Sequence, residues 1–212
     1  MIRWNKRCVD IIISVGILAC SIPLCILLAI LIKMTSRGPF LYCSVRIGQE
    51  GRLFKCWKFR SMYVDAEMRL QQLLASNSDY RREWEAYFKL KNDPRLTWIG
   101  KFLRRTSLDE LPQLWNVLRG DLSLVGPRPF LPQELSVVRS VLEKEPLAKM
   151  KPFLLDVRPG LTGLWQISGR NHLTFEKRIQ LDLEYIHSWS FMGDIVIMLK
   201  TIPVLLFGKG AF

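Results

Sequence analysis

The sequence predicts an α+β protein, mainly helical, in which one small domain containing a β-hairpin follows an N-terminal membrane helix. Three observations support this fold class: an uncharged run of 22 residues near the N-terminus, two short β-type segments around a Gly-containing turn, and several helical apolar patterns separated by loops rich in Gly and Pro. The 212 residues are enough for one domain and an anchor, and they exclude two full catalytic domains.

The uncharged run Ile11–Ile32 would form a helix about 33 Å long, which is enough to cross a bilayer. Cations flank both of its ends, however: Arg3, Lys6, Arg7, Lys33 and Arg37. Because cationic residues favour the cytoplasmic side of a membrane, both ends prefer the same side. We therefore expect a re-entrant anchor over residues 1–37.

Ser21 and Pro23 lie in the middle of this run and mark the expected bend. Proline removes a backbone donor and obstructs the carbonyl four residues earlier, and the Ser21 hydroxyl is close enough to help satisfy the carbonyls that are freed. A straight membrane span and a buried helix of a soluble protein remain alternatives. A cleaved signal peptide does not fit, because the apolar run continues a dozen residues beyond Cys20.

Residues 38–212 have the composition of a soluble but basic domain. Segments 40–47 and 53–59 read as two strands around Gln49-Glu50-Gly51, a hairpin-type turn. Further along the chain, helical patterns cover 64–90 with a break at 77–79, a segment beginning near Ser107, residues 133–149, and a C-terminal stretch with Ile195, Met198, Leu199 and Ile202 on one face. The last helix either caps the core or lies amphipathically in the membrane interface.

The net charge is +12, of which +8 belongs to residues 38–212. A charge of this size predicts an anionic partner, which can be nucleic acid, anionic lipid or a phosphorylated small molecule. The five cysteines form no CxxC pair, so neither a disulfide framework nor a zinc site is indicated, and a reducing compartment fits best.

Four segments place cations beside Gly or Pro: 58–62, 104–112, 126–129 and 158–163. Such segments grip phosphate oxygens, although the sequence contains no Walker P-loop. The second segment holds Asp109-Glu110. Ser107 with Glu110 spells a capping box, and Asp109 is the alternative cap because Pro112 would then fall in the first turn. As an alternative to capping, one carboxylate could attack phosphorus while the other holds a divalent cation.

The runs KFRSM (58–62), RRTSLDELPQLWNVLRGDLSLVGPRP (104–129) and RPGLTGLWQISGRN (158–171) resemble the signature blocks of the bacterial sugar transferase family, the monotopic phosphoglycosyl transferases that act on polyprenol phosphate. The resemblance extends from the anchor to the closing Gly208-Lys209-Gly210-Ala211-Phe212. The helical stretch 68–92 and this ending look more like the branch of undecaprenyl-phosphate galactose or glucose phosphotransferases. That branch often has extra transmembrane helices and a further domain before this part, so the chain is either naturally short or trimmed.

The resemblance implies transfer of a hexose 1-phosphate from a UDP-sugar to undecaprenyl phosphate with release of UMP, a first membrane step of surface polysaccharide synthesis. Asp109 would be the covalent nucleophile and Glu110 a ligand of Mg²⁺. The implied phosphate-binding residues are Lys58, Arg104, Arg128, Arg158 and Arg170. The family also has an anchor bent at a Ser-Pro motif, which in this chain is interrupted by Ile22.

Residues 38–212 would accordingly form a membrane-associated catalytic domain on the cytoplasmic face of the bacterial inner membrane. The expected partners are a UDP-sugar, undecaprenyl phosphate and membrane lipids, and a homodimer is compatible with this arrangement. The competing class is a non-enzymatic, membrane-tethered basic protein that binds nucleic acid or anionic lipid. It leaves the Asp-Glu pair unexplained, and no common nucleic-acid-binding pattern is present, so nucleic acid is not expected as a partner.

Overall fold

A computed structural model describes residues 4–87, 90, 92–144, 154–170 and 173–207. The helices are α1 (Trp4–Thr35), α2 (Ala66–Ser76), α3 (Ser78–Tyr87), α4 (Trp98–Thr106), α5 (Gln113–Arg119), α6 (Leu135–Leu142), α7 (Leu164–Ser168), α8 (Phe175–His187) and α9 (Phe191–Phe207). The strands are β1 (Leu41–Ile47), β2 (Leu53–Phe59), β3 (Ser123–Val125) and β4 (Gly160–Thr162). The predicted α+β, mainly helical class is confirmed.

The first turns of α1 are attached to the rest of the protein by polar contacts. Lys6 binds the Asp194 carboxylate and, at 2.9 Å, the Val125 carbonyl oxygen. Arg7 donates to two carbonyl oxygens at the end of α5, and the buried Asp10 carboxylate accepts hydrogen bonds from Ser123 Oγ at 2.8 Å and from the backbone of β3. These charged residues therefore attach α1 to the domain, in addition to flanking the apolar run as the sequence indicated.

The C-terminal half of α1 packs against the same body. Leu28 and Ile32 form a buried cluster with Phe59, Ile99 and Leu103. Within the described ranges, α1 is the one helix long and apolar enough to cross a membrane, judged by length and composition, and most of its apolar side chains are exposed. Both halves of the helix are thus fastened to one domain, while its outer face offers apolar surface.

The helix continues through Pro23, the position of the predicted bend. Pro23 has no N–H for the Ala19 carbonyl, and Ser21 Oγ donates to the carbonyl oxygen of Leu18 at 3.1 Å. Ser21 therefore serves the carbonyl next to the freed one. The bend and the re-entrant path remain predictions.

The hairpin predicted around Gln49-Glu50-Gly51 is confirmed. Strands β1 and β2 pair antiparallel from Leu41 opposite Phe59 to Ile47 opposite Leu53. Glu50 and Gly51 both have positive φ, the conformation that Gly adopts without a steric cost and that allows the tight reversal. The hairpin matters for function because β2 carries Lys58 on the face that looks toward the middle of the domain.

The break between α2 and α3 lies where it was predicted, whereas α4, α7 and α8 were missed. Helix α4 begins after Thr97, whose side chain accepts a hydrogen bond from the Gly100 amide at 2.9 Å. This short helix follows the Asn92-Asp93-Pro94 break, and its nine residues are too few for a clear helical apolar pattern. The helix predicted over 133–149 begins at Leu135, after a 3-10 turn, and is described to Leu142; residues 145–149 lie outside the described part.

Gly100 allows α4 to lie directly on the end of β2. A Cβ atom at this position would be 1.8 Å from the Ser61 carbonyl oxygen, far inside van der Waals contact. The close approach brings Arg104, one turn later on α4, within 3.1 Å of Ser61 Oγ. The sequence pattern contained no signal for this contact, because it depends on two segments that are distant in the chain.

We expect Gly100→Ala to lower the free energy of unfolding by about 3 kcal/mol, because the neighbouring group is backbone and has little freedom to move. Gly16→Ala is a matched control, since Gly16 is also helical and has nothing within 4 Å of its Cβ position. Thermal unfolding in detergent should show a lower midpoint for Gly100→Ala and a midpoint near that of the native chain for Gly16→Ala. Equal midpoints for the two variants would contradict the close approach.

The two Gly- and Pro-rich loops predicted after Arg119 and after Arg158 pack against each other. Strands β3 and β4 pair in parallel, with Ser123 opposite Gly160 and Val125 opposite Thr162. Added Cβ atoms at Gly126, Gly160 and Gly163 would each meet opposing backbone within 2.8 Å. These glycines therefore permit close backbone packing, whereas the phosphate-binding role expected of the two segments concerns their arginines, Arg128 and Arg158.

Helix α9 packs Ile197 and Met198 on the core and exposes Leu199 and Ile202. The four residues predicted to share one apolar face are thus divided between the core and the surface. The exposed apolar row includes Phe191, Met192, Val196, Leu199, Ile202 and Leu205. Such a row is suited to the membrane interface.

Candidate active site

Lys58 is delivered to the centre of the domain by β2. The buried side chain of Asn116, on α5, holds this strand in place: it donates to the Lys55 carbonyl oxygen at 2.7 Å and accepts from the Trp57 amide at 3.0 Å. Sequence reasoning missed Asn116. The available signal was a polar residue between Leu114 and Val117 on the buried face of α5.

Asp109 and Glu110 lie in a 3-10 turn, Leu108–Glu110, between α4 and α5. The helix expected to begin at Ser107 or Asp109 begins instead at Gln113, directly after Pro112. Ser107 has positive φ, and its side chain makes no capping bond, so the predicted capping box is wrong. The two side chains that would form the capping box bind cations from distant segments instead. Ser107 accepts a hydrogen bond from Arg170, and Glu110 is paired with Lys58 and Arg128.

Lys58, Asp109, Glu110 and Arg128 form one ionic cluster. The Lys58 ammonium is 2.7 Å from Glu110 Oε1 and 3.9 Å from Asp109 Oδ2. Arg128 Nη2 is 3.3 Å from the same Glu110 oxygen. Glu110 Oε1 thus receives both cations, whereas Asp109 is buried with its nearest cation at the edge of ion-pair distance. The two adjacent carboxylates therefore have different environments, as separate chemical roles require.

The pKa directions of the two carboxyl groups differ in the same way. Burial raises the pKa of Asp109; Lys58 opposes this shift and Glu110 reinforces it. For Glu110, burial is outweighed by Lys58 and Arg128, which hold its pKa well below the usual range. Glu110 is therefore firmly ionised, whereas burial disfavours the ionised form of Asp109. A carboxylate formed at Asp109 would be poorly solvated, which favours its reaction with an electrophile.

Arg104 and Arg170 approach the same turn. Arg104 Nε donates to Ser61 Oγ at 3.1 Å, and its charge lowers the pKa of Asp109 against the raising effect of burial. Arg170 Nη2 donates to Ser107 Oγ at 2.8 Å, and its buried Nη1 has no hydrogen-bond partner within the described ranges. The predicted residues Lys58, Arg104, Arg128 and Arg170 thus converge on Asp109 and Glu110, and this excess of positive charge suits a diphosphate.

Arg158, the fifth predicted phosphate-binding residue, has a different setting. Its Nη2 lies close to Gly120, where Arg7 Nη2 also approaches, and its electrostatic neighbours are Arg7, Asp10 and Asp121. Arg158 therefore belongs to the junction of α1 with the end of α5.

The donor set can be tested against the predicted Mg²⁺. Among the described residues no group of three or more His, Cys, Asp or Glu side chains is present, so a cation held by protein ligands alone is not supported. Magnesium, however, commonly takes one or two carboxylates together with substrate phosphates and water. Glu110 is ionised, and its ion pairs with Lys58 and Arg128 are both made by Oε1. The residues therefore fit a cation that binds together with the diphosphate.

Comparison with known proteins places this site in a family. The sequence profile of the bacterial sugar transferases matches residues 1–208. The chain belongs to the bacterial sugar transferase family. Membership of this family argues against the competing interpretation as a non-enzymatic basic protein.

Several sugar transferases of this family are similar over almost the whole chain. An undecaprenyl-phosphate galactose phosphotransferase from Salmonella typhimurium is 45% identical over 210 residues, covering 99% of this chain and 42% of that protein. The exopolysaccharide production protein ExoY from Sinorhizobium fredii is 42% identical over 208 residues, covering 98% of this chain and 88% of that protein. An undecaprenyl-phosphate glucose phosphotransferase from Komagataeibacter xylinus is 42% identical over 220 residues, covering 99% of this chain and 38% of that protein. The chain thus spans about two fifths of the first and third relatives.

Two buried residues close to the candidate site were also missed by sequence reasoning, Arg178 and Asp182 on α8. Both are buried, and Arg178 Nε is 3.9 Å from Asp182 Oδ2. Burial raises the pKa of Asp182 to about 7, although the Arg178 guanidinium and the Arg128 amide face it and lower the pKa in part. Their i, i+4 spacing resembles an ordinary surface ion pair, so only burial reveals them.

Asp182 should make stability fall as the pH rises. In the unfolded chain an Asp carboxyl has a pKa of about 3.9, so between about pH 4 and pH 7 the folded protein binds more protons than the unfolded chain. Its free energy of unfolding should therefore decrease across this window by up to about 4 kcal/mol. Asp182→Asn removes the titration, so thermal midpoints of the variant should depend less steeply on pH. Parallel profiles for both proteins would contradict a raised pKa.

Proposed function

We propose that this protein transfers a hexose 1-phosphate, such as that of galactose or glucose, from a UDP-sugar to undecaprenyl phosphate. The reaction would release UMP and supply a lipid-linked sugar for surface polysaccharide synthesis. The observation that carries the proposal is the Asp109–Glu110 turn, which is surrounded by Lys58, Arg104, Arg128 and Arg170. The names of the similar transferases support the acceptor and the choice of hexose.

The setting of the turn supports a lipid-borne acceptor. Leu108 and Leu111 flank the two carboxylates and pack on the cluster of Leu28 and Ile32 from α1. The reacting groups therefore lie beside the apolar helix, where the phosphate of a polyprenol can reach them while its hydrocarbon chain remains in the membrane. A soluble nucleotide sugar would enter from the aqueous side, attracted by the cationic cluster.

In the first half-reaction, a carboxylate oxygen of Asp109 attacks the phosphorus that bears the sugar. The bond from this phosphorus to the bridging oxygen breaks, and UMP leaves with the electron pair. Lys58, Arg128 and Arg170 are placed to balance the negative charge of the diphosphate. A bound Mg²⁺, held by Glu110 and substrate phosphates, would add charge neutralisation.

In the second half-reaction, an oxygen of undecaprenyl phosphate attacks the same phosphorus. The bond to the Asp109 oxygen breaks, the carboxylate is regenerated, and a polyprenyl diphosphate sugar is formed. One cationic site can serve both substrates in turn, because UMP departs before the second phosphate enters.

The experiment that tests the proposed function supplies the membrane-bound protein with undecaprenyl phosphate and a panel of UDP-sugars. UMP release and transfer of labelled sugar to the lipid are then measured together. Transfer from one or more UDP-hexoses supports the proposal. No lipid-linked product from any UDP-sugar would overturn it.

The proposed anchor is re-entrant, with both ends on the cytoplasmic side. The contacts of Arg7 and Asp10 at one end and of Leu28 and Ile32 at the other support this path, because both halves of α1 contact one domain. We expect a cysteine introduced at position 2 to resist a membrane-impermeant thiol reagent in intact spheroplasts. Pro23→Leu should expose it in part of the population, since the variant regains the backbone N–H that proline lacks, and a helix without this weak point can insert straight through.

Cys8, Cys20 and Cys25 are first replaced by Ser or Ala so that only the introduced thiol reports at this end of the chain. Permeabilised spheroplasts provide the positive control for labelling. Labelling of the otherwise native anchor from outside would favour a single straight span instead.

A further inference from the structure

The loop that carries Arg128 is held at five consecutive residues. Each of the residues from Gly126 to Phe130 takes part in a hydrogen bond through its backbone. The five contacts are Gly126 N to Thr162 O (2.9 Å), Gly160 N to Pro127 O (2.7 Å), Arg178 Nη2 to Arg128 O (3.1 Å), Arg46 Nη1 to Pro129 O (3.3 Å) and Ile47 N to Phe130 O (2.9 Å). The backbone on both sides of Arg128 is therefore restrained.

The bond to Arg128 itself comes from a buried guanidinium. The Arg178 side chain is 9% exposed and is enclosed by aromatic rings, with its Cζ 4.5 Å from the centroid of Phe130, 5.3 Å from Phe175 and 5.6 Å from Trp165. Glu134 and Asp182 provide countercharge, each with an oxygen 3.9 Å from an Arg178 nitrogen. Neither distance is a close ion pair, so the well-formed bond of this guanidinium is directed to the Arg128 carbonyl.

Trp165 links the two arginines through their side chains as well. The Arg128 guanidinium lies 5.3 Å from the Trp165 centroid, and the Arg178 guanidinium contacts the same ring. Arg128 is thus held by its carbonyl, by the ring beneath its side chain and by Glu110 at 3.3 Å. Arg178 takes part in the first two of these restraints.

A purely structural role does not account for a charge at this position. Well-packed apolar side chains often stabilise a core as much as, or more than, a buried ion pair, because desolvation of the charges is costly. An arginine fork, in contrast, fixes the direction of the group that it binds.

We propose that Arg178 is a positioning residue, which holds the Arg128 guanidinium against Glu110 and the substrate diphosphate through the Arg128 carbonyl and the Trp165 ring. This inference rests on the proposed function. Arg178 itself need not touch substrate, since its side chain is enclosed beneath the loop.

A double-mutant cycle with Arg128 tests the proposal. Arg178→Met should keep the protein folded and lower kcat about 10²-fold, because a small displacement of a charge-stabilising group is costly in the transition state. In an Arg128→Ala background, the same change should cost no more than about twofold. Lys177→Met, an exposed change on the same helix, should leave turnover unaltered.

Equal losses from Arg178→Met in both backgrounds would overturn the proposal, because the residue would then act independently of Arg128. Arg178→Lys keeps the charge without the planar fork, so full activity in this variant would also overturn it. If Arg178→Met does not fold, the cycle is carried out with Arg178→Lys and with the neutral pair Arg178→Met/Asp182→Asn. Turnover of the native protein is measured first, so that failure of the proposed function is recognised separately.

Discussion

Replacement of Asp109 by Asn is expected to abolish turnover while leaving the protein folded. An amide cannot form the acyl phosphate, so the covalent route is closed, and loss of a nucleophile commonly costs on the order of 10⁴–10⁶-fold in rate. Asn has nearly the same shape as Asp, and Lys58 keeps its closer partner Glu110 at 2.7 Å. The Asp109 side chain is only 6% exposed, so its replacement by a neutral amide also removes the cost of burying a charge.

The measurement is single-turnover mixing with a UDP-sugar in the absence of polyprenol phosphate. The native protein should release UMP in a stoichiometric burst and gain the mass of a sugar phosphate, whereas Asp109→Asn should do neither. Asp79→Asn, an exposed change on α3, is the matched control and should behave as the native chain does. A folded Asp109→Asn protein with near-normal turnover would refute the nucleophile role.

Removal of divalent cations is expected to reduce turnover to background, with recovery when Mg²⁺ is added. The described residues contain no cluster able to hold a cation alone, so affinity for the metal should depend on the bound diphosphate. Glu110→Gln removes the ionised ligand and the partner of Lys58 and Arg128 at once. We expect this variant to lose on the order of 10²–10³-fold in kcat.

The metal role is separated from the ion-pair role by titration of Mg²⁺ at a fixed UDP-sugar concentration. Glu110→Gln should require more Mg²⁺ for half-maximal turnover, whereas Glu67→Gln, an exposed change on α2, should follow the native curve. Full activity of the native protein in the presence of a chelator would contradict the role of Glu110 as a Mg²⁺ ligand.

The hairpin shows what short-range patterns predict well. Strand alternation and the Gly turn at Gln49-Glu50-Gly51 depend on neighbours in the chain, and the observed strands lie within two residues of those expected. The helix that carries Arg104 was missed for the opposite reason. It is a short helix after a Pro-containing break, and its position depends on the contact of Gly100 with Ser61.

The candidate site also contains features that the sequence predicted and features that depend on the tertiary structure. Asp109, Glu110, Lys58, Arg104, Arg128 and Arg170 were candidates from the sequence, and the structure brings them together. Arg158 was an equally good candidate by composition, yet it lies at the junction with α1. A cation beside Gly has the same appearance in a sequence whether its loop faces substrate or a neighbouring strand.

The sequence by itself determined the long apolar N-terminal helix, the hairpin, the basic character of the domain and the adjacent carboxylates, because each is a property of contiguous residues. The tertiary structure alone decided that Asp109 is buried while Glu110 is paired with cations, that Asn116 fixes β2, and that Arg178 lies beneath Arg128. The physical reason is that burial and ion pairing depend on distances between residues far apart in the chain. These distances are set when the two halves of α1 pack on two hydrophobic clusters and the loops around β3 and β4 pack against each other.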